Sequence, residues 1–517
     1  MPYRRALLLL PALRVDVIRP SRDEFHSLAA AHTVVPVWVE VLADLETPVS
    51  AYTKLVGDGA GFVLESVEHA ERWSRFSFVG REPSATLVLR DGQIEVEGSL
   101  PASVPRDQGI LAALEALLAA YESPAIPDLP PLQGGVMGFL GYDVVREIER
   151  LPDTPPDDHR LPDAVMSVIG SLAAFDHWRQ RVALIENVPV LGLSAAELDA
   201  AYDEAGRRAE AMAAELGRPL PYVPVEPPGP DDELPDVRSS MPAGQYEAAV
   251  AVAKEHILAG DIFQVVLSER FDLDLDADPF DFYRVLRQVN PSPYMYFMRH
   301  PEVTIVGSSP EPLVQLVDGK VISRPIAGTR RRGRTDDDDR RMAGELKENP
   351  KEIAEHVMLV DLARNDVGRV ARFGTMHVDE LMTLERYSHV MHLTSQVSGE
   401  LVEGKDAIDV LRATLPAGTV SGAPKVRAME IIDALEPSKR GPYAGVVCYL
   451  SFSGNIDTAI TIRTMVIGPH GASVQAGAGI VADSDPALEE YECRNKAAAL
   501  LAAVPAARRM TKKRLVP

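Results

Sequence analysis

The chain has 517 residues with a formal net charge of −23, and 46% of its residues are hydrophobic and 25% charged. That length supports a large core or several domains, and the balance is that of a soluble globular protein. The acidity excludes a phosphate-backbone binder, which needs a basic face, and means that an anionic ligand must be drawn in by local cations against the global field.

Met1 to Leu13 sets Arg4-Arg5 before an apolar run and so imitates a short signal peptide, but Pro11 interrupts the run and Arg14 follows without a small-residue cleavage site. Residues 1–25 are expected to be a disordered tail. No segment reaches the roughly 20 apolar residues of a membrane helix. Val34 to Leu42, Gly61 to Ser66 and Trp73 to Val79 read as strands. Leu111 to Tyr121 reads as a helix, and Gly134 to Leu140 and Val165 to Phe175 as further β structure. Ser194, with Glu197 three residues on, opens a helix that runs to Leu216.

Arg218 to Asp236 contains seven prolines, so neither helix nor central strand can form there. Residues 218–238 are read as a linker between an N-terminal portion, 26–217, and a C-terminal portion, 239–510. Beyond it, Tyr246, Val250, Ala253 and Ile257 form a helical stripe that Gly260 stops. Strands are expected at Ile262–Phe271, Val303–Ser308, Leu313–Val317, Met391–Val397, Ala444–Phe452, Asp457–Ile467 and Ala472–Ala476. The charged run Arg330 to Arg341 reads as a solvated loop.

Two helix starts carry the chemistry. Asn349-Pro350 is an N-cap followed by a proline at the first helical position, and the apolar run Val357 to Leu362 predicts a largely buried helix. Glu352 and Glu355 share one face of it. Alone, that pair suits the helix dipole in solvent equally well. Asp485-Pro486 repeats the pattern, and Glu489, Glu492 and Lys496 follow on one stripe. Four carboxylates on two capped helices form a candidate shell for a hard divalent ion, and Mg²⁺ takes one or two protein carboxylates beside water and substrate oxygens.

Seven stretches then carry a resemblance: Asp261 to Ser268, Gly307 to Glu311, Arg324 to Arg330, Glu355 to Asp366, Tyr387 to Leu393, Pro416 to Lys425 and Gln475 to Gly479. With Glu489 to Lys496 they cover about half the chain in the order of the chorismate-utilising enzymes, a set far more specific than any one motif. Within that family the chain is most similar to the large component (component I) of anthranilate synthases. The resemblance implies an α+β fold with a two-sheet antiparallel β-sandwich core and helices packed outside. It implies Mg²⁺ as cofactor, held by Glu355 and Glu492, with Glu352 and Glu489 holding its waters. Glu311 matches the family's general acid, and His392 a histidine beside the ring. Arg463 matches the anchor of the pyruvyl carboxylate, helped by Tyr443 and the backbone of Gly477, Ala478 and Gly479. Gly328, Thr329 and Thr419 complete the substrate contacts, and Lys496 supports the metal carboxylates.

Gln264 stands where water-adding relatives place a lysine base, and an amide cannot activate water, so ammonia is the implied nucleophile. Ala327 stands where aminodeoxychorismate synthases often carry a nucleophilic lysine. The resemblance therefore implies a Mg-dependent carbon–oxygen lyase that makes anthranilate and pyruvate from chorismate, the first step of tryptophan biosynthesis. An aminodeoxychorismate synthase and a catalytically silent tryptophan-sensing subunit remain the alternatives. Cys448 sits in an apolar strand and Cys493 on a helix, neither in a nucleophile elbow, so ammonia is expected from a separate glutamine amidotransferase subunit in a hetero-oligomer. So few cysteines fit a reducing cytoplasm. Glu65 and Ser66, with Pro293, Tyr294 and Met295, resemble the family's tryptophan-inhibition pocket. Ala444, Cys448 and Cys493 depart from residues common in relatives without removing a proposed ligand.

Overall fold

Long apolar runs broken by turns set the architecture. In the computed structural model, which describes residues 17–66, 75–127, 129–220, 224–229, 231–386 and 390–515, they form two antiparallel sheets of 12 and 11 strands. Phe62, Phe78 and Ile305 of the first sheet meet Phe139, Val165 and Val447 of the second in a dry layer between them. Burying each such side chain contributes about 1.5–3 kcal/mol relative to exposure. The helices Ile110–Ala120 and Ala407–Thr414 cover the outer face of the second sheet. Ala195–Leu216, Pro279–Val289 and the end of Pro486–Leu501 cover the outer face of the first. The two-sheet sandwich with helices outside is the fold observed.

Strands from before and after the proline-rich stretch share both sheets. Gly61–Glu65 pairs with Tyr294–Arg299, setting Glu65 opposite Met295. Gly135–Leu140 pairs with Val446–Ser451. The described part of 218–237 holds neither helix nor strand, and Asp232 within it accepts a hydrogen bond from Arg509 at 2.9 Å. The connection thus lies between two lengths of chain that fold into one pair of sheets. No helix among the described residues is long and apolar enough to cross a membrane.

Several expectations are refined or corrected, each for a physical reason. The β structure expected from Val165 to Phe175 is present as two strands, Ala164–Val168 and Ser171–Asp176, in different sheets. The chain changes sheet at Gly170, where a Cβ would lie 1.8 Å from the Glu82 carbonyl oxygen. Asp457 to Ile467 likewise splits into Ile456–Ile460 and Thr464–Gly468, one in each sheet. Strands buried on both faces carry no alternation, so the crossing left no mark in the pattern. The charged run beyond Thr335 is a helix, Asp336–Glu348, with the Thr335 hydroxyl accepting from Asp338 N and four aspartates in the first turn, where the dipole favours them. The helix Pro350–Gly368 is less buried than its apolar run suggested, with Val357 44% exposed.

Residues 1–16 and 67–74, the latter including Trp73 and Ser74 expected to open the third strand, lie outside the described residues, as do Tyr387, Ser388 and His389. The helix Arg22–Ala29 falls inside the stretch expected to be a tail: Ser21 and Glu24 form a capping box, and Phe25 is fully buried.

Candidate active site

The two links that carry the chain between the sheets lie side by side. One joins Thr304–Ser309 to Pro312–Val317 and holds Pro310 and Glu311; the other joins Ile456–Ile460 to Thr464–Gly468 and holds Arg463. Ile460 N donates to Glu311 O at 3.0 Å, and Ser308 N donates to Arg463 O at 3.0 Å. The Ser309 hydroxyl donates to Ile460 O at 2.7 Å. An acid and a base are thereby fixed to one another through backbone. Arg463 sits at φ +51°, a left-handed conformation that costs a non-glycine residue on the order of 1–3 kcal/mol and persists only where surroundings enforce it.

Both side chains line a cavity of about 590 Å³, within the size range of small-molecule sites. Loss of hydration pushes the Glu311 carboxyl up to about 7, while the Thr419 hydroxyl and the Lys496 charge pull weakly the other way. Near neutral pH it is therefore divided between acid and carboxylate, as a general acid requires. Burial lowers the Arg463 pKa, against the attraction of Glu492. The Arg463 side chain forms no ion pair or hydrogen bond among the described residues. A largely buried guanidinium without a carboxylate is costly unless a ligand brings one.

One wall is the pairing of Gln264–Leu273 with Gly471–Ile480. Alternation turns Gly477 and Gly479 to the cavity and Ala478 into the core beside Val265 and Leu267. A Cβ on Gly477 would lie 2.7 Å from the Leu267 carbonyl oxygen and 2.7 Å from the Tyr443 hydroxyl; one on Gly479 would lie 2.6 Å from Gln264 Nε2. Gly477→Ala must therefore move backbone. Its expected cost is about 1–3 kcal/mol by overpacking, read as a lowered urea midpoint, whereas Gly479→Ala needs only the Gln264 side chain to turn. Tyr443 stands behind Gly477 and lines a smaller adjoining cavity instead.

The acidic helices close the other side. Glu355 comes from Pro350–Gly368, and Glu489 and Glu492 from Pro486–Leu501, whose N-cap Asp485 accepts from Ala487 N and Leu488 N. Lys496 Nζ is 2.7 Å from Glu492 Oε1 and donates to Gly477 O at 2.8 Å, joining the acidic helix to the glycine wall. Glu352 does not line the cavity and accepts from Arg330 Nη1 at 2.9 Å. No three acidic, histidine or cysteine side chains among the described residues gather into a preformed metal cage. The donors are carboxylate oxygens alone, which fits a hard cation holding water and substrate oxygens in its remaining positions, not a closed structural site.

His392 Nδ1 lies 3.1 Å from Gly328 O. A carbonyl can only accept, so Nδ1 carries the hydrogen, and burial favours the neutral ring, leaving Nε2 as an acceptor. Gly328 has φ +61°, and a Cβ there would crowd Leu346 and Glu352. Thr329 pairs with His392 through the backbone; its side chain lies outside the described residues. The cavity also contains residues that sequence reasoning missed, Phe263, Met358 and Asp483 among them. Met358 follows Glu355 by nearly one turn, a signal the apolar run concealed.

A second cavity of about 100 Å³ lies where the sheets face each other near the Glu65–Met295 pair. Ser66, Pro293 and Tyr294 line it with Cys448, Tyr449 and Asp457 of the second sheet. Glu65 accepts from the Tyr283 hydroxyl at 2.6 Å and from Arg287 at 3.0 Å. The Tyr294 hydroxyl donates to Asp457 at 3.1 Å, and burial pushes that carboxyl up to about 6. Burial also pushes the Cys448 and Cys493 thiols up to about 12, so neither is an activated nucleophile.

A chorismate binding enzyme family profile matches residues 62–502. The chain belongs to that family. This chorismate-binding enzyme is 48% identical over 497 residues to anthranilate synthase component 1 of Mycobacterium tuberculosis, covering 94% of this chain and 96% of the relative. It is 46% identical over 506 residues to the same component of Pseudomonas putida, covering 95% and 100%. Among solved structures, anthranilate synthase component I from Streptococcus pneumoniae superposes with a TM-score of 0.74 at 37% identity, covering 83% of this chain and 92% of the other. The menaquinone-specific isochorismate synthase MenF of Escherichia coli superposes at 0.66 with 18% identity, covering 93% and 98%, and shows the shared fold.

Proposed function

We propose that this chorismate-binding enzyme is the large subunit of an anthranilate synthase, a carbon–oxygen lyase converting chorismate and ammonia to anthranilate and pyruvate. The observation that carries the reading is the Arg463 guanidinium, largely buried and without a carboxylate partner, in a cavity that Glu311, Glu355, Glu489 and Glu492 also line. Chorismate is a dianion, so one carboxylate meets Arg463. The other needs a cation, and Glu355 and Glu492, with Glu489, would hold Mg²⁺ for it. When bound, that ion supplies Lewis-acid withdrawal of charge from the ring carboxylate. Glu311 gives a proton to the departing ring hydroxyl. His392, with its hydrogen on Nδ1, presents Nε2 as an acceptor for a proton or a hydrogen bond beside the ring. Gln264 keeps the nucleophile's place without a base, which suits ammonia better than water. Gly328, Thr419, Gly477 and Gly479 let backbone and hydroxyl groups approach the ligand closely.

The test is turnover of chorismate with Mg²⁺ and an ammonium salt, with no partner added, and product identified by mass and fluorescence. Anthranilate and pyruvate are expected. Aminodeoxychorismate as sole product, or no turnover, would overturn the assignment. The reading also takes a glutamine amidotransferase subunit as ammonia source, in a cytoplasmic hetero-oligomer, because both thiols here are buried and unactivated.

The second cavity is assigned to tryptophan as feedback inhibitor. Tyr294 and Met295 on one strand, with Glu65 at the end of its neighbour and Ser66 just beyond, bring apolar wall and polar groups to one place. Saturating tryptophan is expected to suppress turnover; an unchanged chorismate rate would remove this assignment.

A further inference from the structure

A side cavity of about 40 Å³ adjoins the main one and shares Glu311, Leu359 and Thr419 with it. Its far wall holds Asp366, from the helix Pro350–Gly368. Asp366 is 7% exposed, and its Oδ2 accepts from Lys425 Nζ at 3.2 Å. Its Oδ1 is buried without a hydrogen-bond partner, and the Thr419 hydroxyl, which acts on Glu311, lines the same cavity. An orphaned buried polar atom is expensive, and a cavity above about 10–15 Å³ edged by two or more polar groups, here Asp366, Thr419 and Glu311, holds ordered water. The mechanism above uses neither Asp366 nor Lys425.

We propose that Asp366 is a positioning residue for Glu311, returning to it through ordered water in the side cavity the proton that Glu311 spends on the ring hydroxyl. The inference rests on Glu311 being the acid. When substrate fills the main cavity, the side cavity is the other space that Glu311 lines. The Glu311 O–H bond breaks as the ring C–O bond breaks, and water leaves. A proton then passes from Asp366 through water to Glu311, and Asp366 takes its replacement from solvent. The ammonium formed on the ring loses one proton to solvent in the same cycle, so protons balance and no electron is transferred. The charged groups facing Asp366 are Lys425, Arg369 just past the end of its own helix, Glu311 across the cavity, and Arg324, which is paired with Glu385. Burial favours the protonated carboxyl, with Lys425 and Arg369 opposing.

The test compares Asp366→Asn, Ala363→Leu and Glu311→Gln in the full chain with chorismate, Mg²⁺ and ammonium salt. Ala363 lines the side cavity, so leucine there takes up the water's space while the Asp366 carboxylate is kept. Both Asp366→Asn and Ala363→Leu are expected to lower kcat about tenfold, a fraction of the roughly 10²–10⁴ that direct acid–base catalysis supplies. KM should stay within about twofold for both. In Asp366→Asn, kcat should climb with imidazole buffer concentration, because a small proton carrier replaces the relay; lost packing would show no such response. Wild-type kcat in Asp366→Asn, or a loss insensitive to imidazole, overturns the proposal. Should Asp366→Asn fail to fold, wild-type kcat in Ala363→Leu overturns it instead. Wild-type kcat in Glu311→Gln would reject the acid assignment itself, a separate failure.

Discussion

Glu355→Gln and Glu492→Gln are each expected to reduce chorismate turnover by at least about 10³-fold, since metal-assisted charge stabilisation is worth several kcal/mol and each 1.36 kcal/mol is tenfold. The substitution keeps shape and hydrogen-bonding capacity and removes one charge. Both residues line the cavity from different helices, so a cation between them loses one of its carboxylate charges in either variant. Glu352→Gln is expected to do much less, because that carboxylate is already committed to Arg330. Glu492 also pairs with Lys496, so Lys496→Met serves as control. If it reproduces the Glu492→Gln loss, the carboxylate matters through the lysine. Isothermal titration of Mg²⁺ gives a readout independent of turnover: affinity should fall in Glu355→Gln and hold in Lys496→Met. Near-normal rates in both glutamine variants would refute the metal assignment.

The carboxylate stripes were legible because capping chemistry is local. Asp485-Pro486 fixes where a helix begins, and helical spacing then fixes which residues share a face. The glycine wall was legible for a different reason, since alternation sends Gly477 and Gly479 one way and Ala478 the other. What stayed hidden was where the chain changes sheets. Ala459 and Val466 are both buried between the sheets, although they lie on strands of different sheets, so hydrophobic pattern alone joined them into one strand. That omission mattered, because Arg463 sits in the link and not in a strand. Its isolation follows from the tertiary meeting of two links more than 140 residues apart in sequence. The Asp366 side cavity was hidden for the same reason, as the Glu355 to Asp366 motif says nothing about which atoms end without partners.

Arg463→Met is the variant that best separates function from stability. Chorismate turnover should fall about 10²–10³-fold in kcat/KM, the 3–4 kcal/mol expected when a charge-assisted anchor for a substrate carboxylate is lost. A structural ion pair of comparable burial would behave oppositely in the unfolding experiment, since removing one partner strands the other and costs about 3–5 kcal/mol. Here no carboxylate is stranded, because the Arg463 side chain has none among the described residues. The methionine also relieves the cost of a poorly hydrated cation. The melting temperature of the ligand-free protein should therefore hold or rise. Arg463→Lys should recover little activity, because a point charge cannot reproduce a two-pronged grip on a carboxylate. Wild-type Arg463 should gain thermal stability from added pyruvate or chorismate that the methionine variant does not, since only the guanidinium rewards the ligand's charge. A melting temperature several degrees lower in Arg463→Met, with turnover intact, would show that the residue is a structural brace between the two links and not the substrate's anchor.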